Sequence, residues 1–155
     1  MADKPVLLMS KLGFASMQLF REALEPLGLH PRHFALLNLL GVEGERSQQA
    51  LGEVLQIDPS TMVAVVDDLE SEGLAERRRN PDDRRAYSVR LTPRGRSQLT
   101  RGRRAAKKVE DRVLAPLEPA ERKRLLELLH RLAVAGHLPR FGPPGGSGDC
   151  APPRR

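Results

Sequence analysis

Eleven arginines fall between Glu76 and Arg104, where the only carboxylates are Glu76, Asp82 and Asp83. A guanidinium is a planar, permanently charged fork of N–H donors, so such a cluster suits phosphates and displaces their condensed counterions. The first 75 residues carry the opposite balance, five Lys/Arg against eleven Asp/Glu, so the formal charge of +6 is unevenly placed. Cations gathered into one short segment are the footprint of a polyanion. A solvated surface with no partner is the competing reading of charge alone. Other chemistries find little support. His30, His33, His130 and His137 lack carboxylates or thiolates at metal-site spacing, so no metal is expected. There is no Ser/His/Asp or Cys/His arrangement and no phosphate-cradling glycine loop, so neither an enzyme nor a cofactor is expected. The lone Cys150 cannot form a disulfide within one chain.

The elements around the cluster follow from punctuation and period. Hydrophobic residues make up 39% of the chain and aromatics 3%, so the core must be built from Leu, Val and Ala, a helix-favouring set. The spacing predicts a helix from Pro5 to about Leu27, closed by Gly28, with Leu8, Leu12, Ala15 and Leu19 on one stripe. Its second apolar stripe, Phe20, Leu24 and Leu27, makes the face wider than one small core needs and points to a second chain. Pro31 opens a helix to about Leu40 with Phe34, Leu37 and Leu40 inward, and Gly41–Arg46 reads as a loop. Ser47 caps a short third helix with Leu51, Val54 and Leu55 on its apolar face. After a break at Gln56-Ile57, Asp58 caps a fourth helix that starts at Pro59 and stops at Gly73, burying Met62, Val65, Val66 and Leu69. Two helices joined by a tight turn make a helix-turn-helix.

Two extended runs follow, Leu74–Arg79 and Ala86–Leu91, about the polar turn Asn80-Pro81-Asp82-Asp83. They form a hairpin with an arginine-rich tip, a wing. Thr92-Pro93 starts a long helix to about Leu114, and a last helix begins near Pro119 with Leu125, Leu128, Leu129 and Leu132 on one face. From Pro139 to Arg155 Pro, Gly and Ser dominate, and no stable structure is expected. No apolar run approaches the roughly 20 residues of a membrane span, and Val6–Met9 is too short for a secretion signal. A cytoplasmic protein is the expectation. The predicted fold class is mainly α with a small β-wing, in the order α-α-α-α-β-β-α-α.

The block from Ser47 to Gly95 resembles the MarR family of bacterial transcriptional regulators, and the likeness extends over Leu8 to Leu132. IDPST and VDDLESEGL match the family's recognition helix. DDRRAYSVRLTPRG matches its wing, where Asp83 and Arg85 precede the Leu-Thr-x-x-Gly of Leu91–Gly95. The resemblance implies one domain over residues 1–138, with a DNA-binding lobe at about 34–95 and dimerisation helices at about 5–28 and 96–136. It further implies a homodimer reading a pseudo-palindromic site on double-stranded DNA. The leucines of the terminal helices could instead form an ordinary monomer core.

On that footing Ser60, Thr61, Val63 and Ala64 face base edges in the major groove. Family members often carry Arg at the position of Ala64, so direct reading by this helix is weaker and more falls to the wing. Arg85 is expected in a narrow minor groove with Asp83 orienting it. Gln48 and Gln49 are expected at phosphates. Arg77, Arg79 and Arg84 are backbone contacts or a solvated strand. Gln56 stands where the family usually has Gly, and of Asp67 and Asp68 at least one should pair with a neighbouring arginine. A small, often anionic aromatic effector is the family's usual trigger, with His33 among the pocket candidates. Thiol sensing is disfavoured, because the family's redox cysteine lies in the first helix and this one has none. A ligand-responsive repressor is the reading favoured by the resemblance. A weakly specific architectural binder, an activator, or a tail-docked interaction module are the alternatives.

Overall fold

Five of the six helices begin on a proline, at Pro5, Pro31, Pro59, Pro93 and Pro119. The first helical residue has no intrahelical use for its N–H, and a fixed φ near −65° is already helical. The computed structural model describes residues 4–79, 81–82 and 87–135. Within them the chain forms α1 (Pro5–Leu24), α2 (Pro31–Glu43), β1 (Arg46–Ser47), α3 (Gln48–Leu55), α4 (Pro59–Ser71), β2 (Ala75–Arg79), β3 (Tyr87–Leu91), α5 (Pro93–Val113) and α6 (Pro119–Val134). Ser47, Asp58 and Thr92 cap α3, α4 and α5 by accepting from the N–H groups of Ala50, Thr61 and Gly95. Each satisfies a backbone donor that the helix itself cannot.

Four local expectations need correction. The first helix stops at Leu24 and tightens into a three-residue 3-10 turn, Glu25–Leu27. Pro26 is the cause, since it disfavours helical continuation before it and donates no hydrogen bond. The second helix runs on to Glu43, because Gly41 packs under Leu99 of α5, where a Cβ would collide with that side chain. Next, Arg46 and Ser47 are strand rather than loop. They pair antiparallel with β3, Arg46 opposite Val89 and Ser47 opposite Ser88, so the sheet has three strands in the order β1-β3-β2. Finally, Val54 is 55% exposed, and α3 is anchored by buried Leu51 and half-buried Leu55.

The core is aliphatic, with Leu24, Leu36, Leu37, Leu51, Met62, Val65, Val66, Leu69 and Val89 all at 1% exposure or less. Phe34 is only half-buried, and meets Phe20 edge-on at 5.4 Å between ring centroids. Burial of this set is the principal stabilising term, at roughly 1.5–3 kcal/mol for each large aliphatic side chain.

One joint ties this lobe to the long helix α5. The Thr92 hydroxyl donates to the Gly73 carbonyl at 2.7 Å and accepts from the Gly95 N–H at 2.9 Å. The Thr92 N–H donates to the Leu74 carbonyl at 3.2 Å, and Gly95 lies so close to that carbonyl that any Cβ would collide with it. The end of α4 and the start of α5 are thereby fixed to each other.

Two regions remain uncovered by the protomer. Helix α6 buries none of its residues, and Leu126, Leu128, Leu129 and Leu132 are 41–57% exposed. The first half of α1 exposes Val6, Leu7, Leu8, Met9, Leu12 and Phe14. No helix among the described residues is long and apolar enough to cross a membrane.

Gln56 adopts φ +53°, the one non-glycine among the described residues with a positive φ. A side chain in the left-handed region costs about 1 kcal/mol, of which glycine's greater unfolded-state entropy returns about half. Gln56→Gly is therefore expected to stabilise the protein by roughly 0.5 kcal/mol in urea denaturation. A destabilised variant would mean that the Gln56 side chain contributes more than its backbone loses.

Candidate nucleic-acid interface

Helix α4 buries Met62, Val65, Val66 and Leu69 and turns Ser60, Val63, Ala64, Asp67 and Asp68 outward, with Thr61 half-buried at its start. Asp58 holds this end. Its Oδ1 accepts from the Ser60 hydroxyl at 2.6 Å and from the Thr61 N–H at 2.9 Å. The bonds from Ser60, then those from Thr61, hold its carboxyl far below the usual range, so it stays ionised. The Ser60 hydroxyl proton is therefore engaged, and its oxygen faces outward as an acceptor.

Arg77 is not a free cation for phosphate. Its side chain is only 17% exposed and turns in between α3 and α4. The Nε donates to Gln48 Oε1 at 2.9 Å, and Nη1 donates to Asp67 Oδ1 and Glu70 Oε2, both at 2.5 Å. Nη2 donates to the Val63 carbonyl at 3.1 Å, and the Arg77 N–H donates to Glu70 Oε1 at 2.6 Å. Burial opposes its charge, but the carboxylates of Asp67 and Glu70 outweigh it and raise its pKa. Expected as a backbone contact or part of a solvated strand, Arg77 is here mostly buried and clamps the wing strand β2 to the exposed helix. Gln48 is engaged in the same clamp through its carbonyl oxygen. Gln49 is exposed and donates to Glu53 Oε1 at 3.0 Å.

The arginine pairing expected of at least one of the adjacent carboxylates is present at Asp67, and Asp68 has a histidine partner instead. Asp67 meets Arg77, and Asp68 meets His33 Nε2 at 3.1 Å. His33 Nδ1 accepts from the His30 N–H at 3.4 Å across the first turn of α2. With one ring nitrogen accepting, the other carries the proton and donates to Asp68. Both nitrogens of His33 are thus used to tie α2 to α4, which leaves neither for a ligand. Sequence reasoning missed Glu70 and this histidine link; the i, i+3 spacing of Asp67 and Glu70 was the available signal.

At the outer end of β2, the exposed Arg79 side chain has no partner among the described residues, while Arg78 pairs loosely with Glu76 at 3.5 Å. The residues expected at the wing tip, Asp83, Arg84 and Arg85, lie outside the described residues.

His30 is half-buried and its Nδ1 is sealed from solvent without a hydrogen-bond partner. Burial, then the charges of Arg32, His33 and Arg21, push its pKa below the ordinary 6.5. The unfolded chain therefore takes up this proton first as pH falls. His30's contribution is intact above pH 6.5 and declines below it. The melting temperature is expected to drop between pH 7 and 5, and to drop less in His30→Gln; equal slopes would exclude His30 as a source.

Helix-turn-helix, three-stranded wing and flanking long helices define a winged-helix regulator, and comparison agrees. A model of the MarR family matches residues 27–86. A putative transcriptional regulatory protein for the hcr operon of Thauera aromatica is 36% identical over 105 residues, 68% of this chain and 63% of the relative. The aligned stretch thus spans less than two thirds of that relative's length. Among solved structures, a probable transcriptional regulator from Pseudomonas aeruginosa superposes with TM-score 0.75 and 35% identity, covering 84% of this chain and 97% of that one. The transcriptional repressor CouR, bound to a 23-mer DNA duplex, superposes with TM-score 0.79 and 31% identity, covering 85% and 94%. The chain belongs to the MarR family of winged-helix transcriptional regulators, which are DNA-binding proteins and not enzymes.

Proposed function

We propose that the protein is a homodimeric, sequence-specific double-stranded DNA-binding repressor that acts in the cytoplasm and releases DNA on binding a small ligand. The observation that carries the DNA-binding part is the exposed start of α4, a capped helix N-terminus presenting Ser60, Thr61, Val63 and Ala64. A helix end of this kind enters the major groove, where hydroxyls meet base edges and small apolar groups meet thymine methyls. Because the Ser60 proton is held by Asp58, its oxygen is suited to accept from a cytosine or adenine amino group. Arg79, Arg84 and Arg85 supply phosphate and minor-groove charge, Asp83 orients Arg85, and Gln49 with the free amide nitrogen of Gln48 reaches phosphates.

The effector reading moves away from His33. A cleft of about 310 Å³ between α1 and α5 is lined by Leu19, Ala23 and Val109 with Glu22, Lys108 and Arg112. Apolar walls and two cations suit a small anionic aromatic molecule. Such a ligand acts only by preferring the released conformation to the bound one.

Gel-shift titration of the protein's own promoter DNA against random duplex at fixed salt tests sequence reading. A ratio near one would favour the weakly specific binder, which the small Ala64 at the groove-facing surface also fits. In the same assay Arg85→Ala is expected to weaken binding more than Asp68→Ala, since Asp68 is occupied by His33. The reverse order would remove the wing arginine from its proposed place.

A further inference from the structure

Helix α5 is the most cationic element of the protein, with Arg94, Arg96, Arg101, Arg103, Arg104, Lys107, Lys108 and Arg112 against Glu110 and Asp111. It does not belong to the helix-turn-helix, and α2 packs against both α5 and α4. Thr100, Arg103, Arg104, Lys107 and Lys108 recur at i, i+3, i+4, i+7 and i+8, which places them on one face over about 12 Å of helix. They line an open groove of about 520 Å³, whose wall is largely the carbon stems of these polar and charged side chains.

The groove is partly pre-arranged. Arg103 donates from Nε to Asn38 Oδ1 at 2.9 Å, and one of its terminal nitrogens lies beside Gly41, within 3.3 Å of where a Cβ would be. That small residue lets the guanidinium lie against α2 instead of swinging into solvent. Lys107 is held by Asp111 at 2.6 Å, and Asp111 also faces Arg122 at 3.9 Å, so one carboxylate serves two cations. Arg104 and Lys108 have no bonded partner among the described residues. Like charges one turn apart on a helix repel, and here nothing within the protomer neutralises them fully.

We propose that this groove binds a small polyanion bearing phosphate groups, at a site apart from the DNA-reading surface and adjoining the cleft between α1 and α5, with which it shares Lys108. An aromatic monocarboxylate, with one negative charge, would leave most of the four cations unmatched. Several phosphate charges, accepted by guanidinium forks and ammonium groups along two helical turns, match the charge and its spread. Because the cations lie on the helix that leaves the DNA-binding lobe at Thr92, occupancy would act on α5 itself.

The probe is inorganic tripolyphosphate, titrated calorimetrically into the intact protein, with sodium chloride at matched ionic strength as control. Saturable binding is expected, weakened about tenfold in Arg104→Gln/Lys107→Gln, which removes one free and one paired cation from the exposed face. It should persist unchanged in Arg78→Gln/Arg79→Gln on the wing strand. Binding equal in the α5 variant and the parent, or reproduced by sodium chloride alone, would overturn the site. Loss in the wing variant would place the polyanion on the DNA surface and overturn it equally. A parallel titration with random duplex distinguishes the last case: if the α5 variant loses duplex affinity as strongly as tripolyphosphate affinity, the groove is a DNA backbone contact and the proposal fails.

Discussion

Replacing Arg77 by methionine is expected to lower the stability of the DNA-binding lobe by about 2 kcal/mol and duplex affinity by roughly tenfold. The side chain is mostly buried and its guanidinium joins α3, α4 and β2 through Gln48, Asp67, Glu70 and the Val63 carbonyl. Methionine fills much of the same volume, so packing is largely kept while every one of those bonds is lost. Asp67 is 58% exposed and can rehydrate, whereas Glu70 at 33% exposure recovers less, which keeps the stability cost below that of a fully buried pair. The affinity cost has two sources. Two carboxylates released on or beside the exposed helix repel phosphate, and the wing strand is no longer held at a fixed angle to α4. Lysine should restore little, because a single ammonium cannot reach four acceptors in the geometry of the planar fork. Urea melts and fluorescence anisotropy on one duplex at fixed salt measure both effects. Unchanged affinity with reduced stability would confine Arg77 to a folding role.

A larger effect on DNA binding is expected from α6. Leu128→Glu/Leu132→Glu should convert a dimer to a monomer in sedimentation at micromolar concentration and weaken operator binding about a hundredfold. Joining two weakly bound half-site readers raises apparent affinity by roughly that factor, and the gain disappears when they separate. The protomer fold should survive, since α6 buries none of its residues within one chain. The apolar first half of α1 supplies the other part of the expected surface. A variant that still sediments as the parent does would return these leucines to other duties.

What could be read in the sequence was what is decided within a few residues. Pro59 after Asp58, Pro93 after Thr92 and Ser47 before Gln48 are complete local instructions, and the helix starts follow them. The break at Gln56-Ile57 was legible for the same reason, but its left-handed backbone was suggested only by the glycine usual there in the family it resembles. Strand β1 was not legible, because two residues have no period and Arg46-Ser47 is strand only through its pairing with β3. The extension of α2 across Gly41 depends on Leu99, far along the chain. Arg77 shows the limit most plainly. Among neighbouring arginines of one strand, its inward turn is set by a glutamine 29 residues earlier and by carboxylates on another helix. His33 is similar, with its acceptor 35 residues away. On α4 the period was enough to separate the outward from the buried residues, whereas on β2 nothing local told which arginine turns inward.

The joint at Thr92 has a mechanical consequence. One hydroxyl bonded to both Gly73 and Gly95, with the Leu74 carbonyl pressed against a glycine that tolerates no side chain, leaves no slack between α4 and the long strut that follows it. In a two-fold assembly built through α1 and α6, the separation of the two reading heads then becomes a function of the tilt of α5. At an arm about 30 Å long, the helix rise of about 1.5 Å per residue over its 21 residues, a tilt of 10° displaces each head by about 5 Å. That is more than the spacing of one base-pair step, so a small change where the struts meet is enough to put the two heads out of phase with successive turns of the duplex.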